Sequence, residues 1–127
     1  MSTHCSIAVQ CRDGSVVAVY CHFDGYLSGV GNTLVTEYDN LGAAQAALAA
    51  LGDPSKACVG MEAFSEGAGP HCYQNYDAYL WNVDEDINAH GYHYIFRNGD
   101  WYCHGSACPG GNALQLVEVA LAAEDNF

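Results

Sequence analysis

The stretch from residue 4 to residue 23 constrains the fold most, because it is typical of a β-hairpin and favours one register. Apolar and polar residues alternate over 5–11, and residues 16–23 are rich in β-branched and aromatic types. A two-residue turn at Asp13-Gly14 would set the apolar face of one strand beside the mixed face of the other. A three-residue loop over 12–14 puts Gly14 at a left-handed bulge position and aligns the apolar faces. Because burial selects the register, we predict the three-residue loop.

This register determines the neighbours of two cysteines. It places Cys5 opposite Cys21 on the apolar face, and His4 opposite His22 on the other face. Free cysteine commonly packs as a small hydrophobic residue. We therefore expect Cys5 and Cys21 to be reduced, buried neighbours. The aligned apolar pairs are Ile7 with Val19 and Val9 with Val17.

The rest of the chain alternates helical and turn signals. Apolar spacing predicts helices over 26–38, 43–51 and 113–123, the last capped by Asn112. Residues 55–72 are interpreted as a loop with a short strand near 58–64, the aromatic run 76–81 as a strand, and 84–90 as a connection. Asn98-Gly99 predicts a second hairpin. The cross-strand pairs of that hairpin are His93 with His104, Phe96 with Trp101, and Arg97 with Asp100.

Strands and helices are segregated along the chain and do not follow a βαβ order. A chain of 127 residues that is 50% hydrophobic is long enough for one domain with its own core. We therefore predict a single α+β domain over 1–127, with an antiparallel sheet built from two hairpins and two to three helices packed on one face.

The charge balance limits the partners. Fifteen acidic residues stand against three basic ones, for a net charge of -12. Nucleic acid and anionic membranes are themselves negative, so this charge disfavours both and favours a protein with a basic surface. We expect neither a signal peptide nor a membrane helix, because no charged leader precedes an apolar run and no long apolar span occurs.

The densest chemistry lies where the first hairpin is predicted to end and a helix to begin. A thiol, an imidazole and a carboxylate stand together there. Cys21 and His22 are adjacent on a strand and would face apart, which disfavours a nucleophile and base pair. Asp24 precedes the helix and is placed to cap it. We interpret the motif as a structural corner formed by Tyr20, Cys21, His22, Phe23, Asp24, Gly25 and Tyr26.

The first half of the chain resembles a family of small uncharacterised proteins of tailed phages and prophages. Their pattern is Tyr-Cys-His-Trp-Asp-Gly-Tyr, a helix, and then Leu-Gly-Asp. Here residues 20–26 match with Phe23 in place of tryptophan, and 51–53 supply Leu-Gly-Asp; residues 99–102 resemble the family's closing Gly-Glu-Trp hairpin. The likeness covers roughly 7–53 and 92–102. It implies a phage accessory protein of the bacterial cytoplasm, of a kind that binds and disables host or defence machinery.

The chain is rich in possible metal ligands, with seven cysteines and six histidines. No Cys-x-x-Cys occurs, so the usual structural zinc spacing is missing, and we expect no cofactor. The alternative is zinc held by residues of different strands, His93 with His104 or Cys103 with Cys108. The pair His71-Cys72, predicted in a loop, is the freer candidate for a Cys/His-dependent enzyme.

A protein-binding surface is the remaining candidate site. Aromatic anchors beside an acidic rim are typical of interface hot spots. The sequence predicts that pattern for Tyr76, Tyr79, Trp81, Asp84, Glu85 and Asp86. The leading hypothesis is therefore a non-enzymatic protein that binds and inhibits a host or defence protein. The alternative is a metal-binding or Cys/His-dependent small enzyme.

Overall fold

A computed structural model describes residues 5–21, 25–51, 71–85, 91–111 and 113–125. Within these ranges, six strands form one sheet of order β3-β2-β1-β4-β5-β6. The strands are β1 (Cys5–Gln10), β2 (Val16–Cys21), β3 (His71–Tyr73), β4 (Tyr92–Arg97), β5 (Asp100–His104) and β6 (Gln115–Leu116). A π-helical turn (Leu27–Gly31) leads into α1 (Asn32–Glu37), and the other helices are α2 (Leu41–Leu51), α3 (Tyr76–Glu85) and α4 (Val117–Asp125).

The register of the first hairpin is confirmed. Cys5 lies opposite Cys21, and the apolar pairs align as predicted. Gly14 adopts φ 91° and donates its N–H to the Cys11 carbonyl oxygen over 3.0 Å, which closes the three-residue loop. Cys5 is fully buried. His4 and His22 lie outside the described residues.

Both predicted hairpins are confirmed, and they are joined by a pairing that the sequence did not predict. β1 and β4 run parallel, with Cys5 opposite Tyr92 and Val9 opposite Phe96. Parallel neighbours require a crossover, and the chain between them includes α1 and α2. The domain is α+β as predicted, with a sheet that is mostly antiparallel and has helices packed against it.

One face of the sheet carries the main core, covered by the π-helical turn with α1, by α2 and by α4. The Tyr94 hydroxyl donates to the Gly25 carbonyl oxygen over 2.7 Å, and Trp101 Nε1 donates to the Tyr38 carbonyl oxygen over 2.7 Å. Gly31 lets its helix approach the sheet, because a Cβ there would lie 3.3 Å from the Tyr94 ring. The buried members of the main core include Ile7, Val9, Val19, Leu27, Val30, Leu34, Ala44, Tyr94, Phe96, Trp101, Val117 and Ala120.

The opposite face carries a second core beneath α3, and here one prediction is wrong. Residues 76–81 are helical and do not form a strand. Tyr76, Tyr79 and Leu80 recur at helical spacing and pack towards the sheet, while the Asn75 side chain caps the helix by accepting the Ala78 N–H over 2.8 Å. This spacing and cap outweigh the β-propensity of the aromatic residues. The second core comprises Ala8, Val16, Ala18, Tyr79 and Ile95, with Tyr73, Tyr76, Leu80, Tyr102 and Leu114 packed against it.

The C-terminal helix also begins later than predicted. Residues 115 and 116 first pair with β5 as β6, and α4 starts at Val117. The chain crosses here from one face of the sheet to the other. Leu114 packs on the second core, whereas Val117 and Ala120 belong to the main core. Helical spacing alone could not show this change of face. The predicted cap Asn112 and the predicted strand near 58–64 lie outside the described residues.

The loop after β5 folds tightly against the residue that precedes β4. Gly105 donates its N–H to the Gly111 carbonyl oxygen over 2.8 Å, and Ala107 donates to the Gly91 carbonyl oxygen over 2.9 Å. Gly105 has φ 136°, and a Cβ on it would collide with the Gly91 carbonyl oxygen. The position therefore requires glycine for both conformation and space.

We predict that Gly105→Ala lowers the free energy of unfolding by about 3 kcal/mol, since it adds a backbone collision to the strain of a positive φ. Gly14→Ala is the matched control, because Gly14 also has a positive φ but open space around it. The control should cost only about 1 kcal/mol. Urea unfolding of both variants measures the difference, and equal losses would contradict the close packing against Gly91.

Candidate functional site

The residues predicted to form a binding surface do not all face solvent, because α3 turns some of them towards the sheet. Trp81 is 65% exposed, whereas Tyr79 is 1% exposed and so belongs to the second core. Tyr79 therefore cannot contact a partner directly, which corrects its prediction as a surface anchor. Asp84 and Glu85 occupy the last turn of α3, and Asp86 lies outside the described residues.

Tyr76 is half-buried at the start of α3 and is covered by a charged side chain. The Arg97 guanidinium carbon lies 3.7 Å from the centre of the Tyr76 ring, a cation–π contact. Arg97 Nε also donates to Gln10 Oε1 over 2.9 Å. Partial burial raises the pKa of Tyr76, and the Arg97 charge offsets part of that rise. Arg97 lies opposite Asp100, as predicted, and it also ties β4 to both β1 and α3.

A buried polar cluster of Ser6, His93, His104 and Tyr79 connects the sheet to α3. Ser6 Oγ and His93 Nδ1 are hydrogen-bonded at 2.7 Å, and His104 Nε2 and the Tyr79 hydroxyl at 3.0 Å. The two imidazoles lie opposite each other as predicted and stack with ring centres 5.3 Å apart. Sequence reasoning missed Tyr79 as a member, because it placed this residue in a strand.

The buried polar cluster is built to hold α3 in place. His93 and His104 are 3% and 2% exposed, so a substrate has no direct access to their rings. Burial raises the pKa of Tyr79 far above its ordinary value, which keeps the hydroxyl neutral and able to hydrogen-bond. Hydrogen bonds between buried polar groups favour one geometry of the elements they join. The Ser6 and His93 contact therefore serves packing and does not form an accessible nucleophile and base pair.

The alternative zinc ligands lie on opposite sides of the sheet. Cys103 and Cys108 are buried in the main core, whereas His93 and His104 lie beneath α3. The four residues therefore cannot share one ion. Among the described residues, no group of three or more His, Cys, Asp or Glu side chains is arranged to hold a metal ion.

The other Cys/His candidates are placed as follows. His71 and Cys72 belong to strand β3 and not to a loop. Adjacent residues of a strand point to opposite faces of the sheet, so the objection raised for Cys21 and His22 applies to this pair too. Tyr20 and Cys21 end β2, and residues 22–24, including His22, Phe23 and Asp24, lie outside the described residues. The N-cap position of the following helix is Tyr26. Gly25 is buried and accepts the Tyr94 hydroxyl hydrogen bond, which anchors the end of the motif to β4.

Comparisons of the chain with protein-family models, with curated proteins and with solved structures found no match. Among the helices that the structure describes, none is long and apolar enough to cross a membrane. The exposed Trp81 and Asp77 make the outer side of α3 the candidate binding site among the described residues.

We predict that Tyr79→Phe lowers the free energy of unfolding by about 1 to 2 kcal/mol, because it removes the hydroxyl that bonds His104 in a buried setting. Tyr102→Phe is the matched control: Tyr102 packs on the same core, and its hydroxyl bonds none of the described residues. The control should change the unfolding free energy by less than about 0.5 kcal/mol. Equal effects in denaturant melts would mean that the Tyr79 hydrogen bond contributes nothing.

Proposed function

We propose that this protein acts without catalysis, by binding a protein with a basic surface through the outer side of α3, and that binding inhibits the partner. The observation that carries the proposal is Trp81, a large aromatic side chain that is 65% exposed on a helix whose opposite side is fixed to the sheet. Tryptophan is enriched at interface hot spots, where it buries a large area at low entropic cost.

The electrostatics of α3 support a basic partner. Asp77 is exposed in its first turn, Asp84 and Glu85 occupy its last turn, and that turn carries no basic residue. The C-terminal end of a helix is already negative because of its dipole, so acids there cost stability and add to the local negative potential. A net charge of -12 extends that potential around the domain. Such a field speeds encounter with a positive surface.

The biological setting of the proposal rests on the resemblance of residues 20–26 and 51–53 to small phage proteins. A phage accessory protein in the bacterial cytoplasm would act on a host or defence protein. Proteins that normally bind nucleic acid have basic surfaces, so they are a natural class of target for so acidic a chain. The alternative is a metal-dependent or Cys/His-dependent enzyme, which needs converging ligands or an open nucleophile. The described residues hold no group of three or more possible metal ligands, and their one exposed thiol is that of Cys72 in β3.

The proposal is tested by affinity capture from bacterial lysate followed by an activity assay of the captured protein. We expect Trp81→Ala to weaken binding of the captured partner at least tenfold and to change the unfolding free energy by less than about 0.5 kcal/mol. Val119→Ala is the matched control, because Val119 is a 49% exposed apolar residue on α4. A partner bound equally by both variants, or one whose activity is unchanged by the protein, would contradict the proposal.

A second prediction concerns the acidic end of α3. Changing Asp84, Glu85 and Asp86 together to Asn, Gln and Asn should slow association and reduce its salt dependence, because charge steering is screened over about 8 Å at physiological salt. Association rates at several salt concentrations measure this for the wild type and the triple variant. Identical salt slopes would show that this acidic run has no part in encounter, and a nucleic acid partner would overturn the charge argument.

A further inference from the structure

A cleft lies at the end of the sheet away from the buried polar cluster, among three connections that are far apart in sequence. Its volume is about 470 Å³, within the range of about 300 to 1,000 Å³ that small-molecule sites occupy. The three connections are the β1–β2 loop, the chain between α1 and α2, and the β4–β5 turn. Its lining includes two charged residues, Arg12 and Asp39, and two apolar ones, Leu41 and Phe96.

The cleft follows from the parallel pairing of β1 and β4. Because neighbouring parallel strands end at the same edge of a sheet, the residues after β1 and after β4 emerge side by side. In open α/β sheets, ligands bind in the crevice outside the carboxyl ends of the parallel strands, and the ends of β1 and β4 form the corresponding edge here. Here the chain between α1 and α2 crosses that edge and supplies the third wall.

The walls combine an apolar surface with two opposite charges. Leu41 is half-buried and offers apolar surface to the cleft, whereas Phe96, at 3% exposed, lies beneath it as part of the main core. Asn40 is held by the N–H of Ala43, which donates to its Oδ1 over 2.9 Å, and its own Nδ2 lies 3.5 Å from Asp39 Oδ1. Asp39 is exposed and belongs to the lining of the cleft.

Arg12 is one of three basic residues in the chain, and it too lines the cleft. Neither Arg12 nor Asp39 forms an ion pair with any residue that the structure describes. Two opposite charges that face one cleft without pairing leave both available to a ligand that carries both signs. A purely anionic ligand would meet the repulsion of a protein with net charge -12.

We propose that this cleft binds a small zwitterion of dipeptide size. Its carboxylate would pair with Arg12, its ammonium group with Asp39, and an apolar side chain would lie against Leu41. Arg12 and Asp39 belong to different connections that line the cleft, so a ligand that pairs with both carries its charges several bonds apart, as a dipeptide does. The site is independent of the proposed binding surface on α3.

The test is a nuclear magnetic resonance titration of the ¹⁵N-labelled full chain with three matched probes. The probes are alanyl-leucine, its C-terminal amide, which lacks the carboxylate, and its N-acetyl form, which lacks the ammonium group. We expect alanyl-leucine to shift the amide signals of residues 11–14, 39–41 and 96–99 at millimolar concentration. Each modified probe should bind about tenfold more weakly, since each has lost one ion pair.

Variants assign each charge to its wall. Arg12→Gln should lower the affinity for alanyl-leucine about tenfold and leave the affinity for the amide unchanged. Asp39→Asn should lower the affinity for alanyl-leucine about tenfold and leave the affinity for the N-acetyl form unchanged. Arg12→Lys keeps the charge and should keep most of the affinity. Asp77→Asn is the charge-matched control for Asp39, because Asp77 is exposed on α3 outside the cleft. All three positions are exposed, so each variant should fold, and a spectrum that matches the wild type away from the cleft checks this.

The result that would overturn the proposal is equally definite. If a large excess of alanyl-leucine shifts none of the amide signals of the residues that line the cleft, no such ligand binds. Shifts that persist unchanged in Arg12→Gln and Asp39→Asn would show that the two charges do not recognise it. Equal binding of all three probes would reduce the site to an apolar contact.

Discussion

The parallel pairing of β1 with β4 is the interaction on which the rest of the structure depends. Each of these strands belongs to a hairpin that could form from its own turn, and the pairing fuses the two hairpins into one sheet. A hairpin alone is marginal in water, whereas a sheet of six strands has a continuous interior. Ile7 and Tyr94 face the main core while Ala8 and Ile95 face the second, and all four are fully buried.

Burial of the central strands on both faces explains why α3 packs where it does. The second face presents small and aromatic side chains that need a cover, and α3 provides it with Tyr76, Tyr79 and Leu80. The same face holds His104, and a purely apolar cover would remove the hydrogen bond of its Nε2 at a cost of about 1 to 3 kcal/mol. The Tyr79 hydroxyl meets this need at His104. The apolar packing on the second core and the hydrogen bond to His104 therefore both favour α3 at this position, in the same rotation about its own axis.

How much of this the sequence could predict depends on how local the deciding interaction is. The two hairpins follow from Gly14 and from Asn98-Gly99, whose turn chemistry acts over a few residues, and both registers were correct. The β1–β4 pairing joins residues more than eighty positions apart and leaves no local pattern. The helix α3 was misread because aromatic β-propensity competed with the cap at Asn75. The candidate site was partly predicted: Trp81 is exposed, but Tyr79 is not.

The rotation of α3 has a functional consequence for Trp81. Tyr79 and Trp81 are two residues apart, about 200° around a helix of 3.6 residues per turn, so burying one turns the other towards solvent. The packing of Tyr79 and its hydrogen bond to His104 therefore help to set the side of α3 on which the indole lies. An anchor held by a rigid helix loses less conformational entropy on binding than one on a loop. A buried histidine thus contributes to the surface of the protein, because it helps to hold the helix that presents Trp81 to solvent.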